Sequence, residues 1–522
     1  MSVLDRRWRN ACKVVFGQEV GALEQYMPWL EGMIAPNVMR KSSISGKEVA
    51  YAIGEYAENL RWVSFDEVGS KFGQLSTDGI KGMESLLEAV GKRAQYAGNI
   101  VLGNSAHVEK SSSISDSFYM YGCSLLGDSK YCANCSTGRL CVDSFGTHGP
   151  GESEFCIRCT QTYRDKRCFE LWLSQNCSDC YYSYNLNNCT DCIFCFNVKN
   201  KRNCIGNLQL PREKYLRIKD KLLAEMADAL VHKKKLPSLM ELAAQMPPGK
   251  PNVPKAAQDA QDDTGKNAAE GAFGKTTALL LGTPLKGIDS YKKWLERHIY
   301  VVEGKTSVAS GRIIWTVPYG IAVVEIPKHR IVAMDEALEI GKLSIGECDA
   351  EKITLSNAPQ FLKNLAFFPV EFRTGTNIGT SECATVIDST FSYRTSDMVY
   401  SKYCGYTFYP RSSEHAFGCN QIFDSSFCIN CYYSVKLTRC FEMDSCRGCS
   451  DCLFCHNCEN VHESMFCFNA KNLKNAIGNV QLAPEEYMRI KKLVLGEIAR
   501  KLERDKNLGL DIYNVGAAKR KN

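Results

Sequence analysis

Histidine is scarce in this chain, eight residues in 522, which limits zinc sites and general bases, both of which draw heavily on imidazole. No run of about eighteen apolar residues occurs, so no membrane-spanning helix is expected. The opening MSVLDRRWRNACKVVFGQEV has no apolar core followed by a small-residue cleavage site, so no secretory leader is expected. G-x-S-x-G, H-E-x-x-H and G-x-G-x-x-G are all missing, and with them the usual marks of a nucleophile elbow, a zinc protease and a dinucleotide fold. Gly274-Lys275-Thr276-Thr277 imitates the end of a phosphate loop, but Ala269 stands where the earlier glycine belongs and no strand precedes it. The formal charge of +6 is modest. Tyr163, Arg164, Lys166, Arg167 and Trp172 mix bases with aromatics, yet no continuous basic stripe forms, so nucleic acid is not expected as a partner. No catalytic residue is assigned, and a non-enzymatic protein is expected.

What the chain has in quantity is cysteine, 27 residues. Thirteen of them, Cys123, Cys132, Cys135, Cys141, Cys156, Cys159, Cys168, Cys177, Cys180, Cys189, Cys192, Cys195 and Cys204, all carry numbers divisible by three. The rest of that column is small or apolar (Ser105, Val108, Ile114, Met120, Leu126, Leu171, Ser183, Leu186, Val198), except for Pro150, Asp165, Lys201 and Asn207. Cys132, Cys156, Cys168, Cys180, Cys192 and Cys204 add a spacing of twelve or twenty-four, with Ser144 filling the gap.

A period of three is neither the 3.6 of a helix nor the 2 of a strand. Repeats that close a core only by stacking indicate a solenoid. Twelve residues per coil, with four inward residues separated by pairs of outward ones, predict a narrow parallel β-solenoid whose bore admits only small side chains. Nine coils at ~4.8 Å each would span roughly 43 Å. The inward phase resembles the twelve-residue coils of beetle antifreeze β-helices, as architecture only; their outward threonine ladder is absent.

The design occurs twice. From Asn99 to Leu230 each residue aligns without a gap to the residue 272 further on. Ser129-Lys130-Tyr131-Cys132 recurs as Ser401-Lys402-Tyr403-Cys404, and Ile205-Gly206-Asn207 as Ile477-Gly478-Asn479. Arg61 to Glu67 is echoed by Arg330 to Glu336. The expected fold is mostly β with α/β additions, a tandem duplication of a small α/β head, a solenoid and a trailing helix. The expected boundaries are a first head at 1–98, with a helix over Thr77–Tyr96, a solenoid at 99–210 and flanking helices at 211–244. A flexible linker is expected at 245–285, from its Pro, Gly, Ala, Lys, Gln and Asp composition. A second head at 286–370, a second solenoid at 371–482 and a helix with a basic tail at 483–522 complete the plan.

Pairs such as Cys132/Cys135, Cys156/Cys159 and Cys428/Cys431 have C-x-x-C spacing, and Cys446, Cys449, Cys452, Cys455 and Cys458 form the best candidate for zinc or an iron–sulfur cluster. Comparison of the copies favours core packing without a cofactor: Cys189 becomes Val461, Cys192 becomes Ser464, and Leu186 becomes Cys458. A ligand cannot exchange with Val or Leu, whereas a small buried residue can. Disulfides across the bore, for example Cys135 to Cys141, are the third reading.

Outward positions twelve apart form an apolar stripe: Tyr121, Ala133, Phe145, Ile157, Phe169, Tyr181, Ile193 and Ile205. The second copy repeats it with Tyr393, Gly405, Phe417, Ile429, Phe441, Leu453, Met465 and Ile477. Such a stripe needs a covering surface. Either the two solenoids pack stripe to stripe, or a helix of each copy lies on it; self-assembly or another protein is the outside alternative. Asn176, Asn188 and Asn200, echoed by Asn460 and Asn472, form a ladder read as turn-stabilising.

The stretches NCTDCIFCFNVKNKRNCIGNLQLPREKYLRIK and Cys449 to Lys491 resemble uncharacterised cysteine-rich repeat proteins of small-genome archaea and bacteria and of viruses, a resemblance that brings no activity. The expected role is a scaffold or assembly protein, cytoplasmic or else a virion component. A zinc or iron–sulfur regulator is the first alternative and a nucleic-acid-associated factor the second.

Overall fold

The computed structural model describes residues 2–33, 36–69, 73–141, 145–146, 151, 157–158, 160–251, 253, 263–318 and 325–517. Ser144, His148, Pro150, the Cys156/Cys159 pair and the tail Lys519–Lys521 lie outside the described residues. The fold mixes helices with many parallel sheets, and no closed barrel occurs among the described residues.

Helix α1 (Ser2–Phe16) buries Leu4, Trp8, Ala11, Cys12 and Val15, a set spaced three and four apart that makes one apolar face. In the first head, β1 (Val38–Lys41) pairs antiparallel with β2 (Glu48–Tyr51), and β3 (Arg61–Ser64) pairs parallel with β4 (Gln95–Gly98). The β3–β4 crossover carries α2 (Met83–Gly91). This helix is shorter than the expected Thr77–Tyr96: it starts after Gly82, where the Ser85 hydroxyl accepts from the Gly82 N–H, and its last residues belong to β4.

An array of short parallel strands follows, pairing at a spacing of twelve residues after a leading pair thirteen apart, Val101 with Ile114. Phe169 lies opposite Tyr181, then Ile193, then Ile205; Cys180 lies opposite Cys192, then Cys204. The second array has the same register, with Phe417 opposite Ile429, Phe441 and Leu453 in turn. One residue in three has a left-handed backbone, for example Tyr182 (φ 47°), Asn185 (φ 55°), Asn188 (φ 53°) and Asp191 (φ 55°). Such a corner after every two extended residues is the physical source of the period of three. A left-handed residue other than glycine costs about 1–2 kcal/mol, least for Asn and Asp. Stacking of one rung on the next offsets this. Asn188 donates to Asn200 at 2.7 Å and Asn460 to Asn472 at 2.7 Å, and the Phe454 and Phe466 rings stack 4.9 Å apart.

After the first array come α3 (Arg212–Lys233), buried along Tyr215, Ile218, Leu222 and Met226, and α4 (Leu239–Ala244). The flexible-linker expectation then needs correction. Residues 264–281 form an 18-residue helix, α5 (Thr264–Leu281), that buries Ala269, Phe273, Thr276, Thr277 and Leu281. Its small residues look like linker composition, yet they let the helix lie close to strand backbone. A Cβ on Gly265 would meet Gly379 O at 2.3 Å and Ser392 O at 2.5 Å. Of the remaining linker, 252 and 254–262 lie outside the described residues.

The second head repeats the plan. Glu303–Thr306 pairs antiparallel with Ile313–Thr316, and Ile331–Val332 pairs parallel with Phe368–Pro369. Its crossover carries α6 (Glu347–Lys352) and α7 (Ala358–Leu362). The second array leads into α8 (Pro484–Asp505), with Tyr487, Ile490, Val494 and Ile498 buried.

Candidate functional site

The cysteine columns are buried in both arrays. All the column cysteines among the described residues are buried and present as thiols, Cys135 and Cys141 included. Each thiol of the candidate metal set donates to the carbonyl two residues back: Cys446 to Asp444, Cys449 to Arg447, Cys452 to Ser450, Cys455 to Leu453 and Cys458 to His456, at 3.2–3.4 Å. Burial raises Cys446 and Cys455 well above the ordinary thiol range and pushes Cys404 up to about 12; burial acts the same way on Cys458, but its hydrogen bonds with Cys446 and Cys455 prevail and lower it. Carbonyl oxygens around a sulfur favour the protonated thiol over the thiolate that binds metal. Among the described residues, no group of three or more His, Cys, Asp or Glu could hold a metal ion. Asp165, an exception in the column, is satisfied within it, accepting from Ser174 Oγ and Cys177 N at 2.6 Å each.

The apolar stripes do not face each other. Phe145, Ile157, Phe169, Tyr181 and Ile193 share one core with α1 and α3, and Tyr121 packs at its margin. Phe417, Ile429, Phe441, Leu453 and Met465 share another core with α5 and α8. Of the two ways of covering the stripes, the structure uses helices. Trp8 meets Phe145 edge-on at 5.3 Å, and Phe273 meets Phe417 at 5.3 Å; Trp29 lies 6.2 Å from Phe169, and Trp294 lies 6.0 Å from Phe441.

Buried ionisable groups gather where the first head, the second array and the segment after α8 meet. Asp444 Oδ2 accepts the Tyr56 hydroxyl at 2.7 Å and is 2.7 Å from His456 Nδ1. Ala97 N–H donates to His456 Nε2 at 3.3 Å, which assigns the imidazole proton to Nδ1. With both nitrogens engaged, the ring holds the head in place and has no nitrogen left for a substrate. Glu442 accepts from Asn430 Nδ2 at 2.8 Å and Ile512 N at 3.0 Å; burial, with the charge of Asp511, pushes it up to about 8. Burial works to lower His298, but its hydrogen bonds to Asp511 and Glu55 prevail and bring it up to about 9. Arg297 adds a 2.8 Å bond to Asp511. The matching place in the first half has Glu170 beside Arg158 at 3.5 Å, Trp172 for Asp444 and Tyr184 for His456. Sequence reasoning missed this cluster, whose members lie hundreds of positions apart.

At the start of the first array is a cavity of about 250 Å³ lined by Leu4, His107, Glu109, Tyr119 and Met120. His107 stacks on Tyr119 at 4.5 Å, and Tyr119 on Tyr131 at 5.2 Å. In the second array, Gly379, Ser381 and Ser392 occupy the equivalent positions, and the first turn of α5 lies against them.

No family model matches the chain, no curated protein matches it, and no solved structure matches it.

Proposed function

We propose that the chain is a non-enzymatic structural protein, built from two cysteine-cored β-solenoids of a tandem duplication, that packs against other protein. The twelve-residue register and the small buried columns support the solenoid reading. The observation that carries the role is the cavity at the leading edge of the first array. There Ala106, His107 and Glu109 are exposed beside the cavity, and in the second array the Thr264-Gly265 turn lies against the equivalent strands. An uncovered strand edge is a template for another chain. The partner chemistry is that of the covering turn: a helix start with a small residue held against backbone carbonyls.

The test uses a synthetic peptide of residues 262–272 titrated into the full-length protein, with amide exchange as the readout. Slowed exchange over 106–121, abolished by His107→Trp, is expected. Unchanged exchange at saturating peptide, or slowing confined to 378–393, would sink the docking role.

A further inference from the structure

Among the described residues, each head packs on the trailing end of the other half's array. Asn197, in the first array, donates to Phe367 O of the second head at 2.9 Å; Asn469, in the second array, donates to Gln95 O of the first head at 2.8 Å. Both members of the second pair are displaced by 272 from their counterparts in the first. The same holds for helix and head. Leu355 N donates to Glu225 of α3 at 3.1 Å, and Met83 N donates to Glu497 of α8 at 2.9 Å. A third pair shows the chemistry adapting. Ala97 N–H donates to His456, whereas its counterpart Pro369 has no N–H, and there the partner is Tyr184, whose hydroxyl donates to Pro369 O at 2.8 Å.

The aromatic packing follows the same rule. Phe368 meets Tyr184 at 4.8 Å and Phe196 at 6.1 Å; Tyr96 meets His456 at 5.0 Å and Phe468 at 5.3 Å. Gly206 and Gly478, both at φ 55°, admit the opposite head closely. A Cβ on Gly206 would meet the Ile345 side chain at 2.6 Å, and one on Gly478 would meet Arg93 at 3.0 Å. Contacts that recur with both partners exchanged are the mark of a two-fold, self-complementary interface.

We propose that the chain is a fused dimer: each head is a docking module for the trailing end of the other half's array, and the halves hold each other without the connecting stretch 250–263. The partner surface is therefore a head from an equivalent half. This inference is independent of the docking role at the leading edge, since it concerns opposite ends of the arrays.

The experiment inserts a specific protease site between Gln258 and Asp259 of the full-length protein, followed by cleavage and native size-exclusion chromatography. The two fragments are expected to co-elute at the volume of the uncut protein, with an unchanged circular dichroism spectrum. Carbodiimide is then expected to join Lys214 to Glu347 or Glu351 across the cut; Lys214 Nζ lies 2.5 Å and 2.6 Å from these carboxylates. A second sample carries Glu225→Lys with Glu497→Lys. Uncut, it is expected to keep the wild-type spectrum, and after cleavage to separate into two peaks. Separation or unfolding of the cut wild-type protein, or co-elution with no cross-link between the fragments, would overturn the proposal.

Discussion

At the residue scale, the buried charges set a pH dependence whose sign follows from the structure. His298 is raised from 6.5 to about 9, so its stabilising contribution is complete below 6.5 and is lost as pH climbs through 9. Glu442 is raised from 4.5 to about 8, so the folded state keeps a proton that the unfolded chain has released, and stability falls as pH rises through that window. Both act in one direction, each with a slope of at most about 1.4 kcal/mol per pH unit. Urea midpoints are expected to fall steadily from pH 6 to 9, and Glu442→Gln should flatten the lower part of that decline. A midpoint that rises over this range would contradict the assignment. Asn430 Oδ1 has no hydrogen-bond partner, so an amide flip would let it accept the proton of Glu442. Thiol reactivity gives a second residue-scale expectation. Among the described cysteines Cys348 alone is exposed, so alkylation of native protein mapped by mass spectrometry should label Cys348 well before any described column cysteine.

At the element scale, α5 shows how the same residue type acts oppositely at two places on one helix. Gly265 lies against backbone, whereas a Cβ on Gly271 would meet nothing within 4 Å. Gly265→Val should therefore cost about 2–3 kcal/mol, as overpacking does. Gly271→Ala should stabilise by about 0.5–1 kcal/mol, through helix propensity. Equilibrium unfolding of the two variants checks both, and two shifts of the same sign would refute the packing of α5. This helix was hidden in the sequence by its composition and by a change of offset. Trp8, Gly17, Tyr26, Trp29 and Leu30 match Phe273, Gly282, Tyr291, Trp294 and Leu295 at 265 rather than 272. A search that allowed the offset to drift could have found the second covering helix. The α3 stripe needed no such help, because Tyr215, Ile218, Leu222 and Met226 carry the helical period openly.

At the scale of the whole molecule, the exchanged heads couple the halves. Asn469→Gly keeps the left-handed backbone at that position (φ 52°) and removes the amide that reaches Gln95 O. It should weaken docking by about 1–2 kcal/mol, the usual cost of orphaning a buried backbone acceptor. Amide exchange should then quicken in β4 of the first half, while the leading strands of the second array stay unchanged. Faster exchange in the second head instead would mean that each head serves its own array. A pattern read along one chain cannot make this distinction, because both heads carry equivalent surfaces and both arrays carry equivalent ends.

Sequence by itself determined the features that depend on near neighbours and on repetition: the buried column, the twelve-residue spacing of paired strands and the apolar stripe. Small side chains every third position and left-handed corners between them are local requirements, and they leave a count in the sequence. Tertiary structure alone decided that helices cover the stripes, that Tyr56, Asp444 and His456 meet, and that each head crosses to the other half. Those outcomes depend on which of several complementary surfaces the chain can bring together over hundreds of residues, and no local period records that choice.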